Sequence, residues 1–176
     1  MIIRPFHPAD TEALTLVYRG AVESIGPSAY TMEQVRVWAL YPDALEEFRT
    51  RLCRGHTLVA QNDSGIVAFG QLDGLDHVAL LYCAGDASRQ GIGSALYAQL
   101  EAHAAANGTT TLTTDASRIS RPFFEQHGFV MIAVENALRL GVRFERFQMK
   151  KIIDKKTASF WLAFERSWNA HDANLV

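Results

Sequence analysis

The chain has 176 residues, a formal net charge of -2 and 48% hydrophobic residues, among them 10 Phe, 5 Tyr and 3 Trp. That length suits one domain with a sizeable core, and the composition excludes a disordered chain. Lys and Arg are scattered rather than gathered into a patch, which argues against nucleic acid as a partner, and no apolar run reaches a membrane span.

In chain order, Ile2 to Phe6 reads as a short strand ended by His7-Pro8. Asp10 opens a helix whose apolar face is Ala13, Leu14, Leu16, Val17, Ala21 and Val22, and Gly26-Pro27 ends it. Thr31-Met32-Glu33-Gln34 is a capping-box signature that starts a second helix through Val35, Trp38 and Ala39. Pro42 breaks it. Asp43 is then expected to cap a third helix, with Leu45, Phe48 and Leu52 inward and Gly55 as its αL terminator.

Strands follow. Thr57 to Gln61 and Ile66 to Leu72 flank the turn Asn62-Asp63-Ser64-Gly65, and His77 to Cys83 is a third, apolar strand. A helix from Ala95 runs to the stop signal Asn107-Gly108, and Thr109 to Thr114 is a β-branched strand. Ser120 and Pro122 start a short helix that Gly128 ends. Phe129 to Glu135 and Phe144 to Lys150 read as a closing hairpin. The order gives a mixed α/β (α+β) fold with one crossover.

That crossover carries the main chemical signal. Between the strand ending at Cys83 and the next helix lies Ser88-Arg89-Gln90-Gly91-Ile92-Gly93-Ser94. A glycine-bearing loop entering a helix aims backbone N–H groups and the positive end of a helix dipole at one point, which suits a phosphate or pyrophosphate. The loop is not a Walker loop, for no Lys follows Gly93. Nor is it a dinucleotide fingerprint, for the third glycine position is Leu96.

Cys53 and Cys83 lack the spacing of a metal site and read as buried free thiols of a reducing compartment. No metal is expected. Met1 to Phe6 lacks a signal-peptide core, so a cytoplasmic protein is expected. Lys150-Lys151 with Lys155-Lys156 reads as a solvated strand-to-helix junction.

Leu81-Tyr82-Cys83, Asp86 and the loop from Ser88 to Ser94 resemble the acetyl-CoA segment of the GNAT N-acetyltransferase superfamily. Ser88 departs from that family's usual Gln or Arg, and Arg89 keeps a cation in the loop. Pro122-Phe123-Phe124-Glu125-Gln126-His127-Gly128-Phe129 resembles the family's helix ending in aromatic-Glu-x-x-Gly-Phe. With Thr113-Thr114-Asp115-Ala116-Ser117 upstream, it is similar to the YafP-like bacterial acetyltransferases. The resemblance implies a central, mostly antiparallel sheet with helices on both faces, whose fourth and fifth strands splay to form a slot for CoA. It implies an acetyltransferase domain over 1–152 and leaves 153–176 as a C-terminal helical extension. There, Phe160, Trp161, Leu162 and Phe164 would pack on the body or on the second subunit of a homodimer.

The resemblance further implies acetyl-CoA as co-substrate and an amine of a small molecule or peptide as acceptor. The pyrophosphate would sit on Ser88, Arg89, Gln90, Gly91, Ile92, Gly93 and Ser94. The pantetheine arm would lie along Leu81, Tyr82 and Cys83, near Ser117, Phe123 and Phe124, with the Leu81 N–H as oxyanion donor. Ser117 stands where the family more often has Asn; a pantetheine contact and a plain helix cap are both open to it. Phe124 stands where many members carry a Tyr that protonates the leaving thiolate, and Phe cannot. Asp115 is the candidate for accepting or orienting the amine's proton, a turn residue being its structural alternative. Tyr30, Trp38 and the hairpin from Glu135 to Arg143 would frame the acceptor. The rival function is a CoA-binding sensor or interaction module that kept the slot without turnover.

Overall fold

A computed structural model describes residues 1–153; the expected C-terminal helix lies outside the described residues. Strands β1 (Ile2–Pro5), β2 (His56–Asn62), β3 (Gly65–Asp73), β4 (His77–Cys83), β5 (Thr111–Ala116), β6 (Val130–Arg139) and β7 (Val142–Ile152) form one sheet in the order β1-β2-β3-β4-β5-β7-β6. Every neighbouring pair is antiparallel except β4–β5, which is parallel. Helices α1 (Thr11–Ile25), α2 (Met32–Ala39) and α3 (Leu45–Arg54) cover one face, and α4 (Ile92–Ala106) and α5 (Arg121–Gln126) cover the other.

Each face has its own core. Leu14, Val17, Tyr18 and Val22 from α1 meet Phe48 and Leu52 from α3 over Val59, Phe69 and Leu80 of the sheet. Leu96, Tyr97 and Leu100 from α4 meet Phe124 and Phe129 over Leu58, Ala68, Leu112 and Met149. Burying a side chain such as Leu14 or Leu100, both at 0% exposure, is worth about 1.5–3 kcal/mol. The α1 stripe starts at Leu14 and returns at Val17, Tyr18 and Ala21, so Leu16 falls on the opposite side. It is 68% exposed, against the expectation that it faces inward.

The second helix starts as its sequence implies: Gln34 N donates to Thr31 Oγ1 at 3.2 Å, and Thr31 N donates to Gln34 Oε1 at 3.0 Å. Two expectations for α3 are corrected. Asp43 does not cap it; it lies in a 3-10 turn and pairs with Arg19, while Ala44 holds the cap position. Gly55 is extended rather than left-handed. It must be glycine because a Cβ there would stand 2.3 Å from the Leu72 carbonyl oxygen.

Cys53 is exposed, not buried: Phe48 and Leu52 carry the core face of α3, and the next position turns about 100° away. Lys151 is not a solvated lysine either. Its Nζ reaches Glu101 Oε2 at 2.7 Å and the Tyr97 hydroxyl at 3.2 Å, tying β7 to α4. Ile153, the last described residue, is still core: it is 5% exposed and its N–H donates to Thr110 O at 2.9 Å. Among the described residues, no helix is long and apolar enough to cross a membrane.

Candidate active site

The site begins where β4 and β5 part. They pair only at His77–Thr113 and Val78–Thr114. The pairing of β4 with β3 shifts register after Leu80–Gln71, leaving Ala79 opposite no residue. Such a bulge bends a strand, and here it lies one residue beyond the last β4–β5 pair.

Beyond the bulge, the free edge of β4 can be read from its hydrogen bonding. Ala84 N donates to Val67 O at 2.8 Å. By antiparallel alternation, Tyr82 also bonds towards β3, whereas the backbone groups of Leu81 and Cys83 face the opened side. The Leu81 N–H therefore points into the gap between the strands. Side chains alternate in the same way, with Leu81 and Cys83 packing on the α4 side and Leu80 and Tyr82 on the α1 side.

The glycine loop lies at the end of that edge. Ser88 Oγ donates to Gly85 O at 2.9 Å, and Gln90 Nε2 donates to Asp86 O at 2.9 Å, so the loop braces itself. Arg89 and Gly91 both have positive φ, 61° and 81°. The first α4 amide in the chain to reach back to Gly91 O is that of Ala95, at 3.0 Å; those of Ile92, Gly93 and Ser94 come before it and have no intrahelical acceptor. A Cβ at Gly93 would meet only Cys83 Sγ at 3.5 Å and Phe123 at 3.7 Å, which is ordinary contact.

A cavity of about 460 Å³ runs through the slot. Leu81, Tyr82, Cys83, Gly93, Asp115, Ser117, Phe123 and Phe124 all line it. Asp115 lies at the β5 end with Arg146 Nη1 3.6 Å away, and Arg146 also donates to Glu135 Oε2 at 2.8 Å. Ser117 and Ser120 brace the entry to α5: Ser120 N donates to Ser117 Oγ at 3.0 Å, and Ser117 N donates to Ser120 Oγ at 2.9 Å. Phe124 is 3% exposed and packs on Tyr97 and Phe129. Burial pushes the Cys83 thiol and the Tyr82 hydroxyl up from their ordinary values, so both stay protonated at neutral pH. The Tyr82 hydroxyl is taken up on the α1 side, accepting from Trp38 Nε1 at 3.3 Å.

A family model described as an acetyltransferase (GNAT) domain matches residues 27–152. The chain belongs to the GNAT acetyltransferase family. It is similar to the uncharacterized N-acetyltransferase YafP of Escherichia coli (strain K12), with 26% identity covering 84% of this chain and 93% of that one. A GCN5-related N-acetyltransferase structure from Rhodopseudomonas palustris superposes with a TM-score of 0.84 at 30% identity, over 86% of this chain and 95% of the other. The PaiA N-acetyltransferase of Thermoplasma acidophilum, solved in complex with coenzyme A, shares the fold with a TM-score of 0.73 at 19% identity, over 86% and 98% of the two chains.

This acetyltransferase also has site features that the sequence reading missed. Tyr30, Trp38 and, from the hairpin named with them, Ala137 and Arg139 line the cavity; Tyr18, Tyr41 and Arg51, which that reading did not name, line it as well. Arg51 and Arg139 are 88 positions apart and converge on one ring, their Cζ atoms 5.6 and 4.5 Å from the Tyr41 centroid. No local motif marks such a pair. Among the described residues, no group of three or more His, Cys, Asp or Glu is placed to hold a metal ion.

Proposed function

We propose that this acyltransferase moves the acetyl group of acetyl-CoA to a primary amine of a small molecule or peptide. The reading is carried by one observation: the free β4 edge, with the Leu81 N–H turned outward, runs directly to the unpaired amides at the start of α4. A thioester on a long pantetheine arm with a pyrophosphate at its far end matches that layout. The N–H groups of Gln90 to Ser94 take the pyrophosphate, with Arg89 beside them. The arm pairs with Leu81 and Cys83 as an added strand would, flanked by Phe123 and Phe124.

The neutral amine attacks the thioester carbonyl carbon, forming the C–N bond, and the carbonyl oxygen becomes an oxyanion held by the Leu81 N–H. Collapse breaks the C–S bond and CoA leaves as thiolate. The proton lost from the attacking nitrogen passes to Asp115 or through it to water. Phe124 offers no proton to the sulfur, and the Tyr82 hydroxyl is committed on the α1 side. The thiolate leaves unassisted, which a thiol pKa near ~8.5 permits.

Calorimetry with acetyl-CoA, followed by release of free thiol across a panel of amines, tests the proposal. Saturable binding with amine-dependent thiol release is the expected result. Binding without release in any amine would favour a CoA-binding module, and no binding would remove both readings.

A further inference from the structure

We propose that the acceptor half of the cavity contains an oxyanion subsite built on Arg51 and Arg139, so that the acceptor amine also carries a carboxylate. This identifies a substrate class for the acetyl transfer proposed above, and it rests on that reading only for the amine. The subsite follows from charge accounting within the cavity.

Two acids line the cavity, Asp115 and Glu145, and each already has an arginine partner. Asp115 faces Arg146 at 3.6 Å, and Glu145 accepts from Arg118 Nε at 3.1 Å. Of the arginines lining the cavity, Arg146 is held by Glu135 and Asp115. Arg51 and Arg139 pair with no carboxylate among the described residues. Both are half-buried, and the Nε of Arg51 is buried without a hydrogen-bond partner.

The two guanidinium groups come from different elements lining the cavity, α3 and the end of β6, and each lies against the Tyr41 ring. A cation on an aromatic face gains about 0.5–1 kcal/mol at an exposed site, but the ring accepts none of the five N–H donors in the conventional sense. Two like charges gathered around one ring repel, and an anion within reach of both offsets that repulsion. A carboxylate matches the guanidinium fork and supplies that anion.

The surrounding wall suits an apolar body attached to that carboxylate. The Tyr18 ring is 5.5 Å from Tyr41 and 4.3 Å from Tyr82, with Trp38 bonded to the Tyr82 hydroxyl. This wall lies on the α1 face of β4, next to the residue that offers the oxyanion donor. An amine with an apolar side chain and an acidic group therefore fits better than a polyamine, whose second charge would meet two arginines.

Calorimetry on the full chain saturated with CoA decides the point, using N-acetylphenylalanine and N-acetylleucine against their uncharged carboxamides. The acids are expected to bind roughly 10- to 100-fold more tightly than the amides, the range for a hydrogen bond to a charged group. The ratio should fall towards one in Arg139→Gln and in Arg51→Gln, with retained CoA affinity reporting that each variant is folded. Equal binding of acid and amide, no binding of either, or a preference that survives in both variants would overturn the subsite. Thiol release with the parent amino acids and amino-acid amides is read in parallel. Acid preference without any thiol release sinks the transfer reading and leaves the subsite standing. Release without acid preference does the reverse.

Discussion

The Thr114 hydroxyl donates to the Val78 carbonyl over 2.9 Å, at the last pair of residues that β4 and β5 share. Both residues are buried. Thr114→Val keeps the shape and removes the donor, so it should destabilise the fold by about 1–3 kcal/mol through an under-satisfied buried carbonyl. Thr114→Ser should recover most of that. Chemical denaturation of the two variants checks it, and equal stability would show that the hydroxyl does not hold the fork.

Gly93→Ala separates a demand of the ligand from a demand of the fold. The added methyl would make only ordinary contacts with Cys83 and Phe123, so the thermal midpoint should hold. Acetyl-CoA affinity should fall about tenfold or more, because the methyl stands among the amides proposed to receive the pyrophosphate. Gly91 differs: at φ 81° any side chain is strained, and Gly91→Ala should lose about 1 kcal/mol of stability as well. Undiminished affinity in Gly93→Ala would move the pyrophosphate elsewhere.

Asp115→Asn should lower kcat by roughly 10²–10⁴-fold if the carboxylate takes the amine's proton. Cofactor affinity should change little. The ion pair it gives up, 3.6 Å to Arg146 and partly solvated, is worth at most about 1 kcal/mol. Normal turnover beside a slightly lowered thermal midpoint would leave Asp115 a structural residue.

Phe124→Tyr should leave turnover unchanged or raise it, since a hydroxyl there restores a proton donor on the cavity wall. The ring packs against Tyr97 and Phe129, so kcat has to be read together with the thermal midpoint. A collapse of turnover with binding and stability intact would mean that the ring's apolar packing is what the site needs.

The strand-to-helix grammar was legible because its signals are local. The capping box at Thr31, the stop at Asn107-Gly108 and the hairpin turn before Gly65 each depend on a few adjacent residues, and each helix or strand boundary followed. The glycine loop was legible for the same reason. What escaped depends on distant partners. The bulge at Ala79 lies in an apolar run with no glycine to mark it, and the convergence of Arg51 with Arg139 exists only once the β6–β7 hairpin brings Arg139 to the Tyr41 ring. Gly55 does end a helix, but what requires glycine there is the Leu72 carbonyl of β3, a distant partner.

A pH titration of stability tests the stacked pair His56 and His103, whose rings lie 3.5 Å apart and 3° from parallel. Burial first, and the neighbouring His103 charge second, hold His56 below its ordinary 6.5. The unfolded chain therefore takes up a proton before the folded one does. Stability should be full above pH 6.5 and decline as pH falls from there towards the lowered folded value, levelling off below it. His103→Gln should flatten that decline, and an unchanged slope would remove the coupling.

The strand order has a consequence for synthesis on the ribosome. The last of the described strands, β7, is inserted between β5 and β6 rather than added at an edge. When Ala116 emerges, β5 has β4 along only two residue pairs, and its other side waits until Ile152 has been made. At ordinary elongation rates that is a delay of roughly 2–7 s. During it the first four strands can pair with one another, while the β5 wall of the slot is held by those two pairs alone. A nascent chain arrested before Val142 would present α4 already seated on β2 to β4, beside a β5 whose far edge has no partner. A chaperone or protease would encounter that species, and a premature stop in the final hairpin should deplete the protein rather than shorten it.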